Sequence, residues 1–171
     1  MAKRPLSLRA RIGLGLLVVV LIPVLVVLLL PTLLVALPGY WLYGQWLKVR
    51  WEQTWGRQGK RILLVYSRSP HWHGYIENNW LPRVAPHAVV LGWSDRSTWP
   101  KWAPLEIRAF RYWGGTRNFN PLALLFPKRG KVRAIRFWQA FRDLKHGKKS
   151  TLQTAETELF GFVDAIRREA A

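Results

Sequence analysis

The chain of 171 residues contains no cysteine. That excludes disulfides, thiolate metal sites, cysteine nucleophiles and palmitoylation together. Carboxylates are also scarce: 9 Asp and Glu stand against 27 Lys and Arg, a formal net charge of +18. A surface so poor in negative charge attracts polyanions such as anionic lipid head groups, nucleic acid or acidic partners. A protein beside an anionic membrane can equally be basic with no specific ligand. No glycine-rich phosphate fingerprint, Gly-x-Ser-x-Gly elbow, internal repeat or low-complexity stretch is present, so nucleotide binding and triad hydrolysis have no motif behind them.

Charge of either sign is missing altogether from Ile12 to Leu47, and residues 12–37 are almost entirely Leu, Val and Ile. About 20 apolar residues suffice to cross a hydrocarbon core roughly 30 Å thick. A cleavable signal would have an apolar region of roughly 7–15 residues and a small-residue cleavage site. Here the run is longer, and Leu34 to Leu37 before Pro38 make a poor site. The expectation is a transmembrane segment at 12–37 behind a basic tail at 1–11. Pro23 and Pro31 predict a kinked single span, with a re-entrant hairpin turning at either proline as the alternative. Lys3, Arg4, Arg9 and Arg11 before the span slightly outweigh Lys48, Arg50 and Arg57 after it, which favours a cytoplasmic N-terminus.

Residues 38–58 read as an aromatic juxtamembrane helix. Tyr40, Tyr43, Leu47, Trp51 and Trp55 recur at helical spacing, and Trp41 and Trp46 add further indole rings. Because Trp and Tyr favour the head-group region, Tyr40, Trp41, Tyr43, Trp46, Trp51 and Trp55 are the expected membrane-interface residues. The competing reading packs this stripe into the domain.

Residues 59–171 form the basic domain, predicted as a small, mainly parallel α/β sandwich ending in an antiparallel hairpin and a helix. Residues 61–66 and 88–93 read as buried strands, joined by a helix that starts at Ser69 and Pro70 and presents Ile76, Trp80, Leu81 and Val84. Residues 105–110 alternate with period two and predict a strand. Residues 122–126 and 132–138 predict a hairpin around Lys128-Arg129-Gly130-Lys131. A capping box at Ser150 and Gln153 opens the last helix, whose core face is Leu152, Ala155, Leu159, Phe162, Val163 and Ile166.

Asn120-Pro121 leading into an apolar strand, a basic glycine turn, a return strand and a final helix is similar to the C-terminal half of thioredoxin-like folds. The resemblance implies an alternative fold, thioredoxin-like without the redox cysteines. Where such a fold carries Cys-x-x-Cys, this chain has Ser67-Arg68-Ser69-Pro70-His71-Trp72, so redox chemistry by that site is excluded.

Ligands of open α/β sheets bind beyond the carboxyl ends of the strands. That rule directs attention to loops 67–73, 94–97 and 116–120. Arg68, Ser69, His71, Asp95, Arg117 and Asn118 are the candidate anion-binding residues, Ser69 doubling as a plain helix cap. His71 and His73 are two apart with no further ligands in view, so no metal and no cofactor is expected. Glu77 and Asp95 are carboxylates without a recognisable catalytic motif. From Arg108 to Lys149 there are 12 Lys or Arg and one acid, Asp143, with aromatics interleaved. Arg108, Arg111, Lys128, Arg129, Lys131, Arg133 and Lys145 are the expected electrostatic face. The reading is a membrane-anchored protein whose domain binds anionic groups at the bilayer surface. A membrane-associated transferase acting on a phosphorylated or lipid-linked substrate stands second, and membrane-tethered nucleic-acid binding third.

Overall fold

The computed structural model describes residues 8–115 and 120–170, with side chains from residue 21 to residue 169 outside the 116–119 gap. The chain divides into two compact units, residues 1–43 and 44–171. A single helix, α1 (Leu8–Thr54), carries Pro23, Pro31 and Pro38 within it. The hairpin alternative is therefore not what forms: the chain stays helical through both prolines. In the first unit every described side chain from Leu21 to Tyr43 is exposed, whichever way it points. Thr32 returns its hydroxyl to the carbonyls of Leu28 and Leu29, so its polar group is satisfied inside the helix. Among the described residues, one helix, near the N-terminus, is long and apolar enough to cross a membrane, with a mean hydropathy of 2.7.

The second unit is a mixed α/β domain around a four-stranded sheet in the order β2-β1-β3-β4. Its strands are β1 (Ile62–Tyr66), β2 (Ala88–Gly92), β3 (Leu122–Leu125) and β4 (Arg133–Arg136). β1 pairs parallel with β2, Ile62 opposite Ala88, and antiparallel with β3, Val65 opposite Leu122. β3 and β4 form the expected antiparallel hairpin, Leu122 opposite Arg136. Only one of these junctions is parallel, which corrects the mainly parallel expectation. The Asn120–Pro121 bond ahead of β3 is cis.

Side-chain alternation sends each central strand to two cores. Ile62, Leu64, Ala123 and Leu125 face one layer with Ile76, Trp80, Val84, Phe141, Leu159 and Val163. Leu63, Val65, Leu122 and Leu124 face the other with Trp51, Ala109, Phe110 and Phe126. The first layer contains α2 (His73–Tyr75), a π-helical turn (Ile76–Trp80) and α3 (Leu81–Val84). The π turn keeps Ile76, Trp80 and Val84, each four residues apart, on one buried line.

The strand expected at 105–110 is instead helix α4 (Leu105–Trp113). Pro104 stands at its N-cap, and Leu105, Ala109 and Trp113, at i, i+4 and i+8, all reach the second core. Period two and period 3.6 overlapped over so short a window. The expected return strand is also cut short: β4 ends at Arg136, and α5 (Trp138–Lys145) begins where strand was predicted. Phe137, Ala140, Phe141 and Leu144 form its apolar stripe. The final helix, α6 (Ser150–Ala170), buries Leu152, Leu159, Val163 and Ile166. Its hydrogen bonding begins one residue earlier than the capping box implies, since the Gln153 amide donates to the Lys149 carbonyl.

Candidate anion-binding surfaces

The strand-end loops do come together. The Arg68 amide donates to Ser94 Oγ at 2.9 Å, and the Arg68 guanidinium pairs with Asp95 at 3.1 Å. Ser67 Oγ donates to Asn120 Oδ1 at 2.8 Å and accepts the Trp72 indole N–H at 3.2 Å. Asn120 is buried, so this hydroxyl–amide pair ties the loop after β1 to the segment before β3. Ser69 shapes the turn rather than capping the helix: its Oγ accepts the His71 amide at 3.4 Å and its carbonyl accepts the His73 amide at 2.9 Å, whereas α2 starts from Trp72 with no side-chain cap. Arg68, Ser69 and Asp95 of the expected anion-binding set are thus engaged within the loops. Arg117 and Asn118 lie outside the described residues.

Tyr66, at the end of β1, donates its hydroxyl to Glu77 Oε1 at 2.5 Å, and His73 Nδ1 stands 3.8 Å from the same oxygen. Burial first, then the hydrogen bond and charge of Glu77, push the Tyr66 hydroxyl well above the ordinary phenol value. On the same layer, Glu156 of α6 accepts from Tyr75 at 2.9 Å and from the Trp80 indole at 2.6 Å. Burial, followed by that hydrogen bond and charge, raises Tyr75 to about 12. His71 lines a groove that His73 does not. Among the described residues no three His, Cys, Asp or Glu side chains are grouped to hold a metal ion.

The predicted electrostatic face is divided. Arg108 and Arg111 ride on α4, in the layer of the second core, whereas Lys145 ends α5 in the layer of the first. Lys128 and Arg133 are paired with Glu169 at 3.0 Å and Glu158 at 3.2 Å, both on α6. What gathers instead is a cluster around the end of α1. The guanidinium groups of Arg108 and Arg50 stand 4.6 and 5.8 Å from the centre of the Trp46 ring. Lys48 Nζ donates to the Gly130 carbonyl at 2.5 Å, which brings the basic turn holding Arg129 and Lys131 to the same part of α1.

The expected interface aromatics separate into two groups. Tyr40, Trp41, Tyr43 and Trp46 are exposed. Trp51 is not: it is fully buried, stacked on Phe126 at 4.2 Å, with its indole N–H on the Lys60 carbonyl. Trp55 is half-buried and donates to Glu106 at 2.8 Å. For these two the competing reading, packing into the domain, is the correct one. The ion pair of buried Arg61 with the half-exposed carboxylate of Glu52, the residue after Trp51, had no sequence signal beyond opposite charge.

All nine carboxylates have a partner. Besides Glu52, Glu77, Asp95, Glu106, Glu156, Glu158 and Glu169 above, Asp164 pairs with Arg83 at 3.7 Å, and Asp143 accepts from Gln139 and Thr151.

No family model, curated protein or solved structure matches the chain.

Proposed function

We propose that the chain is a single-pass membrane protein whose basic α/β domain binds anionic head groups where α1 runs into it. The Trp46, Arg50 and Arg108 cluster, with Lys48 bound to the basic turn, carries this reading. Indole and guanidinium groups together suit the head-group region, and each basic residue near an anionic surface contributes about 1 kcal/mol. The exposed apolar surface from Leu21 to Tyr43 supports the span, because a helix apolar all round belongs in hydrocarbon. The strand order with its closing hairpin and helix supports the thioredoxin-like alternative for the fold, without redox cysteines.

The transferase reading needs loops 67–73, 94–97 and 116–120 to offer groups to a substrate. Arg68 is instead paired with Asp95, and Ser67 bonds both Asn120 and Trp72. Nucleic-acid stacking is disfavoured for a different reason: Phe110, Phe126, Phe137 and Phe141 are core.

The test is lipid selectivity of the full chain in mixed bilayers, read from spin-labelled phosphatidylglycerol and phosphatidylcholine. The expected result is anionic enrichment next to the protein, lost when Arg50, Arg108, Arg129 and Lys131 are all changed to Gln. Equal enrichment in the wild type and the quadruple variant would discard the reading.

A further inference from the structure

A groove of about 460 Å³ runs between the turn Pro70–Trp72 and helix α5. That volume falls in the range of about 300–1,000 Å³ typical of small-molecule sites. Its chemistry is two-sided. Trp72, Trp138, Phe141 and Leu144 supply an apolar, mostly aromatic lining, while Arg142, Lys145 and His71 supply the polar groups.

The lining is held from behind. Trp72 is tethered through its indole N–H to Ser67, and its ring lies 6.1 Å from that of buried Phe141. Arg142 stands 5.0 Å over the Trp138 ring, which sets its guanidinium beside the apolar surface. No carboxylate lines the groove. The acid nearest in sequence, Asp143, is held by Gln139 and by Thr151 of α6. An anion arriving here meets cations and no competing negative charge.

We infer that this groove binds a single-chain anionic amphiphile, a phosphate or carboxylate head joined to a short apolar tail. A bare anion would leave the rings wet, and a neutral apolar molecule would leave Arg142 and Lys145 without a counter-charge. Only a ligand with both parts matches both sets of side chains. The groove lies in the layer opposite α4, so this inference stands apart from the head-group cluster around Trp46 and does not depend on it.

The experiment uses the full chain, labelled with 5-fluorotryptophan, in discs of phosphatidylcholine. Trp72→Phe and Trp138→Phe assign the two groove resonances in the fluorine spectrum. Octyl phosphate is the probe, with inorganic phosphate and octyl glucoside as the head-only and tail-only comparisons. Saturable shifts of both groove resonances are expected with octyl phosphate, and binding at least about tenfold weaker for either comparison. Arg142→Gln with Lys145→Gln, two exposed changes, should weaken octyl phosphate by a similar factor. The quadruple variant of the head-group cluster should bind it as the wild type does, so a failure here is distinguishable from failure of the lipid-selectivity test. The inference is overturned if neither groove resonance saturates, if inorganic phosphate or octyl glucoside matches octyl phosphate, or if the double variant binds unchanged.

Discussion

Trp51 and Trp46 lie five positions apart on the same helix and have different fates. Both are indoles in an aromatic stripe, so residue type alone assigns both to a membrane interface. Contact decides otherwise: Trp51 meets Phe126 and the Lys60 carbonyl, while Trp46 meets guanidinium groups. Replacing Trp51 by Ala should cost about 3–5 kcal/mol of domain stability, measurable by urea unfolding in a mild detergent, because a fully buried large ring is removed. The tyrosines give a second prediction. Tyr66 and Tyr75 hold their protons more tightly folded than unfolded, Tyr75 up to about 12. Between about pH 10 and 12 the unfolded chain therefore binds fewer protons, and stability falls as pH rises. Their contribution is fully present below about pH 10. A Tyr66→Phe, Tyr75→Phe variant should show a shallower alkaline decline in urea midpoint than the wild type. Such pairings were not legible in sequence, since nothing marks Glu77 or Glu156 as the acceptor of a particular hydroxyl.

Among the elements, what could be read depended on window length. The apolar runs of β1 and β3 and the long face of α6 announce themselves, being either continuous or sustained over several turns. α4 misled because Leu105, Ile107 and Ala109 satisfy a strand pattern while Leu105, Ala109 and Trp113 satisfy a helix. α5 was hidden by its position directly after a strand. The groove went unseen for the same reason, since five of its eight lining residues come from α5. At the other end of α4, Tyr112 lies against Gly44, where an added Cβ would fall 2.3 Å from the tyrosine oxygen. Gly44→Leu should therefore destabilise by about 1–3 kcal/mol, and Tyr112→Ala in the same chain should recover part of it. A two-by-two set of urea midpoints measures the coupling. For the turn before α2, Ser69→Ala should cost no more than about 0.5 kcal/mol in urea midpoint stability, since its Oγ makes a 3.4 Å turn contact and caps no helix.

On the scale of the whole molecule, composition disclosed the charge and the apolar helix but not how the cations are distributed. Sequence clustering suggested one basic face; the two layers divide it, and the part near α1 draws on Arg50 and Lys48, which precede the predicted stretch. The proposed single span with a cytoplasmic N-terminus predicts that a C-terminal tag is digested by protease added outside intact cells lacking their outer barrier, and protected in inverted vesicles. The opposite pattern would place the domain in the cytoplasm.

Under the proposed single span, the bonding of all nine carboxylates within the chain has a consequence for how copies of the protein share a bilayer. With a net charge of +18 and each acid already bonded within its own chain, two domains side by side present like charge to each other within the roughly 8 Å Debye length of physiological salt. In a zwitterionic bilayer the copies should keep their distance. Anionic lipids gathered between them would act as mobile counterions, so lateral spacing becomes a readout of the lipid composition around them.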